Sequence, residues 1–481
     1  MEPIIGWILL LPGLTTAMLG VGWLTGLKLS ERLIARLTGI CYSLATGLVI
    51  ILAGWMVSHK LPSVRLPIGN WFEVHTYRFP LLLQIDRLSL PLIALSFVLV
   101  GVIGAFSQRY MHREGGYLRF FFLLNLFGFG VLLLFLAGSF DLMIAGWELV
   151  GLTSVLLIGF FQQRNNPVRS ALRVFLIYRV CDIGLLTGVA MLHDYVGAAT
   201  VDRVFTHPWP DGASLLTGGQ ATVVGLLFLL AAMGKSAQVP FSGWLPQAME
   251  GPTPSSAIFY GALSVHAGAY LLLRAQPLIE SSLIVSVAVV IVGLLTAIHG
   301  TMVGRATVDA KTSIAYASLA QLGLIFAEIG AGLKWMALLH LSGHIVVRTL
   351  QFLRAPSMLH DHHRRYSAAG GEPTATGAYF EQMIPIKLRI WLYRLALERG
   401  YHDVILERAV VGPLVQVSRW LHDIEDRLAV AIFGPTKRAT YPLGPLGRHS
   451  RPIFHQEELE ERVRICPPRT AVRSGMEGAD V

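Results

Sequence analysis

The sequence predicts an all-α protein, a polytopic membrane bundle of about eleven or more spans with some broken helices, followed by a cytoplasmic amphipathic helical tail. Three observations carry this. Of 481 residues, 53% are hydrophobic and only 14% charged, where a soluble domain carries about 25% charged residues. The charges are also unevenly placed: residues 1–356 hold 22 Lys/Arg and 15 Asp/Glu, whereas residues 357–481 hold 17 and 15 in about a third of that length. Finally, the first block divides into apolar stretches near the roughly 20 residues that a bilayer core requires. A soluble enzyme is excluded.

Eleven stretches qualify as spans, at about 3–26, 34–58, 89–107, 119–138, 141–161, 171–196, 220–239, 252–274, 282–303, 312–330 and 335–355. The first has no basic segment before it and no small-residue cleavage pattern, so it reads as a retained span and not a signal peptide. The ten-residue alternation of barrel strands is absent. Loop charges set the orientation. With the N-terminus outside, the inward loops carry Lys28, Arg32, Arg36, Arg109, Arg113, Arg119, Arg164, Arg169, Arg173, Arg305 and Lys311. The short outward loops hold Asp141, Arg274 and Lys334, one apiece, and the longer outward loop 59–88 carries Lys60, Arg65 and Arg78. The positive-inside rule therefore places the N-terminus outside and the tail in the cytoplasm.

The water-facing tail, 357–481, opens with His360, His362, His363, Arg364 and Arg365, then a Gly370–Gly371 hinge. Segment 384–433 spaces Leu388, Trp391, Leu392 and Leu395 as a helix does, interrupted by charges, and reads as amphipathic helix on a membrane or partner surface. Beyond Gly434 the composition is that of a disordered terminus. The net charge of +9 sits mostly in the membrane block, so it speaks for orientation and against nucleic acid. Cys41, Cys181 and Cys466 have no CxxC spacing, so they suggest neither a disulfide framework nor a metal centre.

Ionisable groups inside spans cost about 2.5–3.5 kcal/mol each on insertion scales and mark function or pairing. Span five carries Glu148, in Gly146–Trp147–Glu148–Leu149–Val150–Gly151; span six carries Arg179 and Asp182, one turn apart. Span seven carries Lys235, span eight His266, and span eleven His340, His344 and Arg348. Arg179 and Asp182 read most simply as a neutralising pair that staples the bundle. His266 reads equally as a hydrogen-bonded core histidine or a relay member. Glu148 and Lys235 lie on different helices without an opposite charge one turn away, which points to proton exchange. His340, His344 and Arg348 recur every four residues and form one stripe, a ladder for protons and water. A metal site is the competing idea for His-x3-His, but no carboxylate or cysteine follows on that helix, so no metal is assigned. Pro240, Pro246, Pro252 and Pro254 follow Lys235 closely and predict broken helices beside the buried ion. The residues alone thus describe an ion-translocating protein, moving protons, with no cofactor motif.

At these positions the sequence resembles a known family. The Glu148 motif, Met233–Gly234–Lys235–Ser236–Ala237–Gln238–Val239–Pro240, Trp244–Leu245–Pro246 and Gly251–Pro252–Thr253–Pro254 resemble antiporter-like subunits, the NuoL, MrpA and DabB relatives of the proton-conducting family shared with respiratory complex I. Asp309–Ala310–Lys311, Ala315–Tyr316–Ala317–Ser318, Gln321–Leu322–Gly323 and the His340/His344 helix continue the likeness over roughly 80–360. The resemblance implies that Glu148 and Lys235 form a coupled ion pair and that His340 and His344 continue the proton path; His266 and Arg348 are placed on the same path, Arg348 as a fixed charge that biases its neighbours, and Asp309 with Lys311, like Arg179 with Asp182, as supporting ion pairs. Two positions depart from the pattern: Tyr260 stands where relatives have a histidine, with His266 two turns later, and Arg348 stands where they have a lysine.

The spans stop near Pro356, and this shortened architecture, with Gln351–Phe352–Leu353–Arg354, resembles the DabB branch, the membrane half of an inorganic-carbon transporter. That likeness implies a cytoplasmic DabA-like partner resembling a zinc carbonic anhydrase, with zinc in the partner and no cofactor in this chain. It implies a location in the cell inner membrane and no catalysis by this chain. Two alternatives stand beside it: a NuoL-like pump subunit of a complex I or hydrogenase-type assembly, and a non-conducting membrane anchor.

Overall fold

A computed structural model describes residues 2–27, 29–74, 77–307, 309–355, 385–406, 408–409 and 412–433. Among these, eleven helices are long and apolar enough to cross a membrane: Pro3–Leu24, Glu31–Ser58, Ser89–Tyr110, Tyr117–Leu136, Phe140–Ile158, Asn165–Val196, Gly218–Lys235, Thr253–Arg274, Leu283–Ala306, Ala310–Gly330 and Lys334–Arg354. They are numbered here as spans one to eleven, and each overlies a predicted stretch. Helices are the solution a bilayer imposes, because each backbone N–H and C=O finds its partner within its own segment. Local sequence marks the starts. Ser30, Ser139, Thr217 and Ser282 each cap a helix by accepting from a backbone N–H three residues on, and Thr217 with Gln220 completes a capping box.

Residues between spans two and three, read from sequence as loop, instead form an antiparallel hairpin of β1 (Ser63–Val74) and β2 (Tyr77–Asp86). Pro67, Gly69 and Pro80 disrupt the strand alternation, and the register slips at Pro67/Gly69 and again at Asn70/Glu73. That irregularity hid the strands. The hairpin joins the turn between spans four and five, where Gly138 donates its N–H to the Leu82 carbonyl at 2.8 Å. Asp86, at the end of β2, is clamped in two-pronged fashion by Arg274 at the end of span eight, and both side chains are fully buried. Burial penalises the Asp86 charge, but Arg274 and the backbone N–H groups of Ser89 and Leu88 outweigh it and hold its pKa below the usual carboxylate range.

Connections of alternating parity gather at opposite ends. Lys334, opening span eleven, reaches Glu280 at 3.0 Å and the Pro210 carbonyl at 2.8 Å, uniting the connections between spans six and seven, eight and nine, and ten and eleven. At the other end Glu31 meets His112, and Arg119 donates to the Phe160 carbonyl at 2.8 Å.

Spans seven and eight are broken as the prolines predict. After Lys235 the chain runs through Pro240 into short helical turns, Phe241–Gly243, Trp244–Gln247 (which contains Pro246) and Ala248–Glu250. Pro252 and Pro254 then start span eight, which passes from an α-turn through a π-helical stretch, Ala257–Ala262, to a 3-10 turn, Ser264–His266, and back to α-helix at Ala267–Arg274. Gly261 sits there against the Thr349 backbone of span eleven, where a Cβ would have no room.

The tail segment 384–433 is not one helix. Ile386–Leu397 packs on span nine, and the chain turns at Arg399, Gly400 and Tyr401, all with positive φ, into His402–Leu406. Gly412–Phe433 belongs to a second compact unit and exposes Val417, Trp420 and Leu421. The His360–Arg365 cluster, the Gly370–Gly371 hinge, Cys466 and the end beyond Gly434 lie outside the described residues.

Candidate proton path

Two polar clusters occupy the interior of the bundle. The first is centred on Lys235, in the last turn of span seven, where a positive charge suits the helix carbonyl end. Its side chain is buried, and Nζ donates to the Trp147 carbonyl at 2.9 Å. The ammonium also lies 4.5 Å from the Tyr178 ring centroid and 4.9 Å from that of Trp147, cation–π contacts that replace part of its hydration. Gly151 makes the space, since a Cβ there would come within 2.7 Å of Nζ.

Glu148 does not pair with Lys235. Its carboxylate meets the Arg179 guanidinium, and the same nitrogen, Nη2, lies 2.8 Å from Asp182. The Trp147 indole N–H donates to the other Asp182 oxygen at 2.5 Å. Arg179 reaches across because the turn that carries Asp182 also presents the guanidinium to span five. The expected Glu148–Lys235 ion pair is therefore replaced by an acid–guanidinium–acid bridge, with Lys235 one carbonyl away.

The second cluster is built on His266 and span eleven. His266 Nε2 and His344 Nδ1 lie 2.8 Å apart. His344 Nε2 accepts from Arg348 Nε at 3.2 Å, and Arg348 is fixed by the Ala317 carbonyl at 2.9 Å and Gln351 at 2.7 Å. The His340 ring is turned elsewhere, with Nδ1 2.8 Å from Glu328 and Nε2 3.0 Å from Gln321. His340, His344 and Arg348 lie along span eleven, but the His340 and His344 rings are 6.4 Å apart and each faces other partners.

Hydroxyls lie between the clusters. The Tyr178 ring lies under Lys235, and beyond it Ser264 Oγ is 3.2 Å from that of Ser154; Ser264 precedes His266 by two residues in the 3-10 turn. Ser236, next to Lys235, donates to the Val265 carbonyl at 2.6 Å.

Asp309 stands apart from the path. It caps span ten through the Thr312 N–H at 2.7 Å, and no ion pair joins it to Lys311 among the described residues. The Asp–Ala–Lys run is an N-cap, and its spacing leaves the carboxylate turned back on its own helix. Sequence reasoning missed Tyr178, Ser264 and Glu328. It also missed Asp141 and His193, a buried pair 2.9 Å apart at the start of span five and the end of span six. Asp141 lies seven residues before Glu148, on the same helix face.

Residues 137–394 match the family described as NADH:quinone oxidoreductase/Mrp antiporter, transmembrane, and residues 71–121 match the N-terminus of NADH-ubiquinone oxidoreductase (complex I) chain 5. The chain belongs to the NADH:quinone oxidoreductase/Mrp antiporter family. It is 35% identical over 366 residues to the chloroplastic NAD(P)H-quinone oxidoreductase subunit 5 of Zygnema circumcarinatum, covering 74% of this chain and 51% of that protein. It is 34% identical over 325 residues to NADH-quinone oxidoreductase subunit L of Mycobacterium tuberculosis, covering 66% and 51%. The chain thus spans about half the length of these relatives. Among solved structures it is similar to a chain of the Mrp complex from Dietzia sp., with a TM-score of 0.60 and 26% identity over 75% of this chain and 37% of that one. As a member of this family it is a multi-pass membrane protein of antiporter-like architecture.

Proposed function

We propose that this chain is a proton-translocating, antiporter-like subunit of a larger membrane assembly of the NADH:quinone oxidoreductase or Mrp kind, without catalysis of its own. The observation that supports this is the burial of Lys235 against Trp147 and Tyr178, beside the Glu148–Arg179–Asp182 bridge. A lysine at membrane depth is costly, and such ionisable groups mark ion and proton pathways.

In this reading Lys235 is the central exchanging group. The Arg179 guanidinium holds Glu148 while Lys235 is neutral, and release of Glu148 from Arg179 draws a proton back to Lys235. The Tyr178 and Ser264 hydroxyls pass protons toward His266 and His344, and bound water bridges the gap to His340. The loop arginines set the N-terminus outside and the tail in the cytoplasm. The partners are the other subunits of such an assembly. The DabB-like reading, with a zinc-bearing DabA partner and inorganic carbon as cargo, draws no support from the matched relatives, whereas the oxidoreductase-subunit reading does.

The test is proton flux in proteoliposomes holding the purified assembly, comparing the unaltered chain with a Glu148→Gln, Lys235→Ala double variant. Flux should fall by about tenfold or more with assembly intact. Unchanged flux in a well-assembled double variant would instead favour the non-conducting anchor. Co-purifying iron–sulfur or quinone-binding subunits support the reading, and a large zinc protein in their place sinks it.

A further inference from the structure

We propose that Glu328 is a proton-exchanging group of this chain, the one that takes the proton from His340 and delivers it to water at the outer end of the bundle. This rests on the proton-translocating reading above.

Glu328 lies in the last turn of span ten, two residues before Gly330, and its backbone carbonyl accepts the N–H of Leu333 in the short connection to span eleven. Its side chain is 12% exposed. Oε1 is 2.8 Å from His340 Nδ1, while Oε2 is buried with no hydrogen-bond partner among the described residues. A purely structural carboxylate would avoid this position on two grounds. It faces the negative end of the span-ten helix, and an unpaired buried carboxylate oxygen is costly unless a proton or water satisfies it.

The partner is arranged for transfer. Both ring nitrogens of His340 face oxygens, Glu328 Oε1 and Gln321 Oε1, an arrangement satisfied by the imidazolium with two N–H donors. The step balances simply: the Nδ1–H bond of His340 breaks, an O–H bond forms on Glu328, and imidazolium plus carboxylate become neutral imidazole plus carboxylic acid. That acid stands within one helical turn of the span end, close to the connection where Lys334 meets Glu280. The proton then leaves to outside water, and His340 is free to be recharged from the direction of His344.

Glu328→Gln separates transfer from positioning, because the amide oxygen still accepts from Nδ1 and the volume is kept, but no proton can be taken. In the reconstituted assembly, with flux normalised to assembled protein, Glu328→Gln should lower proton flux about tenfold or more, and Glu328→Asp should restore most of it. An infrared carboxyl band present in the unaltered protein and missing from Glu328→Gln would be the spectroscopic sign of the protonated acid. Flux in Glu328→Gln close to the unaltered level, while Lys235→Ala abolishes it, overturns the assignment of Glu328 and leaves the proton-translocating reading intact. Full flux in both variants overturns both.

Discussion

His344 points its Nδ1 proton at His266. Arg348 can only donate, so its contact with His344 Nε2 leaves that nitrogen without a hydrogen, and the proton of the neutral ring sits on Nδ1, 2.8 Å from His266 Nε2. Arg348, which stands where a lysine was expected from the resemblance, thereby fixes a tautomer. His266→Phe should cut proton flux about tenfold or more and destabilise the chain by about 1–3 kcal/mol, because a buried N–H loses its acceptor. Flux in proteoliposomes and thermal unfolding in detergent check the two parts separately.

Gly151→Ala should act on Lys235 alone. The added methyl approaches Nζ, the mobile end of a flexible side chain, so the ammonium moves off the Trp147 carbonyl at little cost in stability. The expected result is an unfolding temperature near that of the unaltered protein with strongly reduced flux. A drop in both together would mean that the glycine serves packing.

Arg179→Gln should be worse for stability than its half-exposed position suggests. It leaves Glu148 facing Asp182, and Asp182 is almost wholly buried. Removing one partner of a buried pair costs about 3–5 kcal/mol, and about 2 kcal/mol is expected here because the guanidinium is partly hydrated. Chemical unfolding of Arg179→Gln against Arg179→Gln/Asp182→Asn measures it, and the second change should restore much of the loss.

Asp86 gives the hairpin an acid-sensitive anchor. Its pKa is lowered in the fold, so its contribution is complete above the unfolded value of about 3.9 and disappears as pH falls through the folded value. Asp86→Asn should lower stability by about 3 kcal/mol or more near neutral pH, with Arg274 left as an unpaired buried charge. The gap between the variant and the unaltered chain should close on acidification, as followed by unfolding temperature against pH.

The spans, their breaks and most polar side chains of the two buried clusters were legible because each leaves a mark in one segment: an apolar run, a proline cluster, a charge out of place. Pairings across segments were not. Arg179 and Asp182 are indeed neighbours, but nothing in their spacing says that the guanidinium also reaches Glu148. His266 carried no sign that its partner is His344. Glu328 sits so near a helix end that Ala–Glu–Ile–Gly passes for a terminus. The hairpin was lost because its prolines and glycine erase the period-two signal on which strand recognition depends.

Among its described residues span eight has no face to offer to lipid: they are buried throughout, and its backbone leaves the α-helical pattern in mid-course. Such a segment is a poor passenger for a translocation machinery that sorts hydrophobic helices one at a time. It has to be held by its neighbours, so the bundle matures around it, and damage to spans three, seven or eleven, against which it packs, will first be seen as chains that never finish assembling.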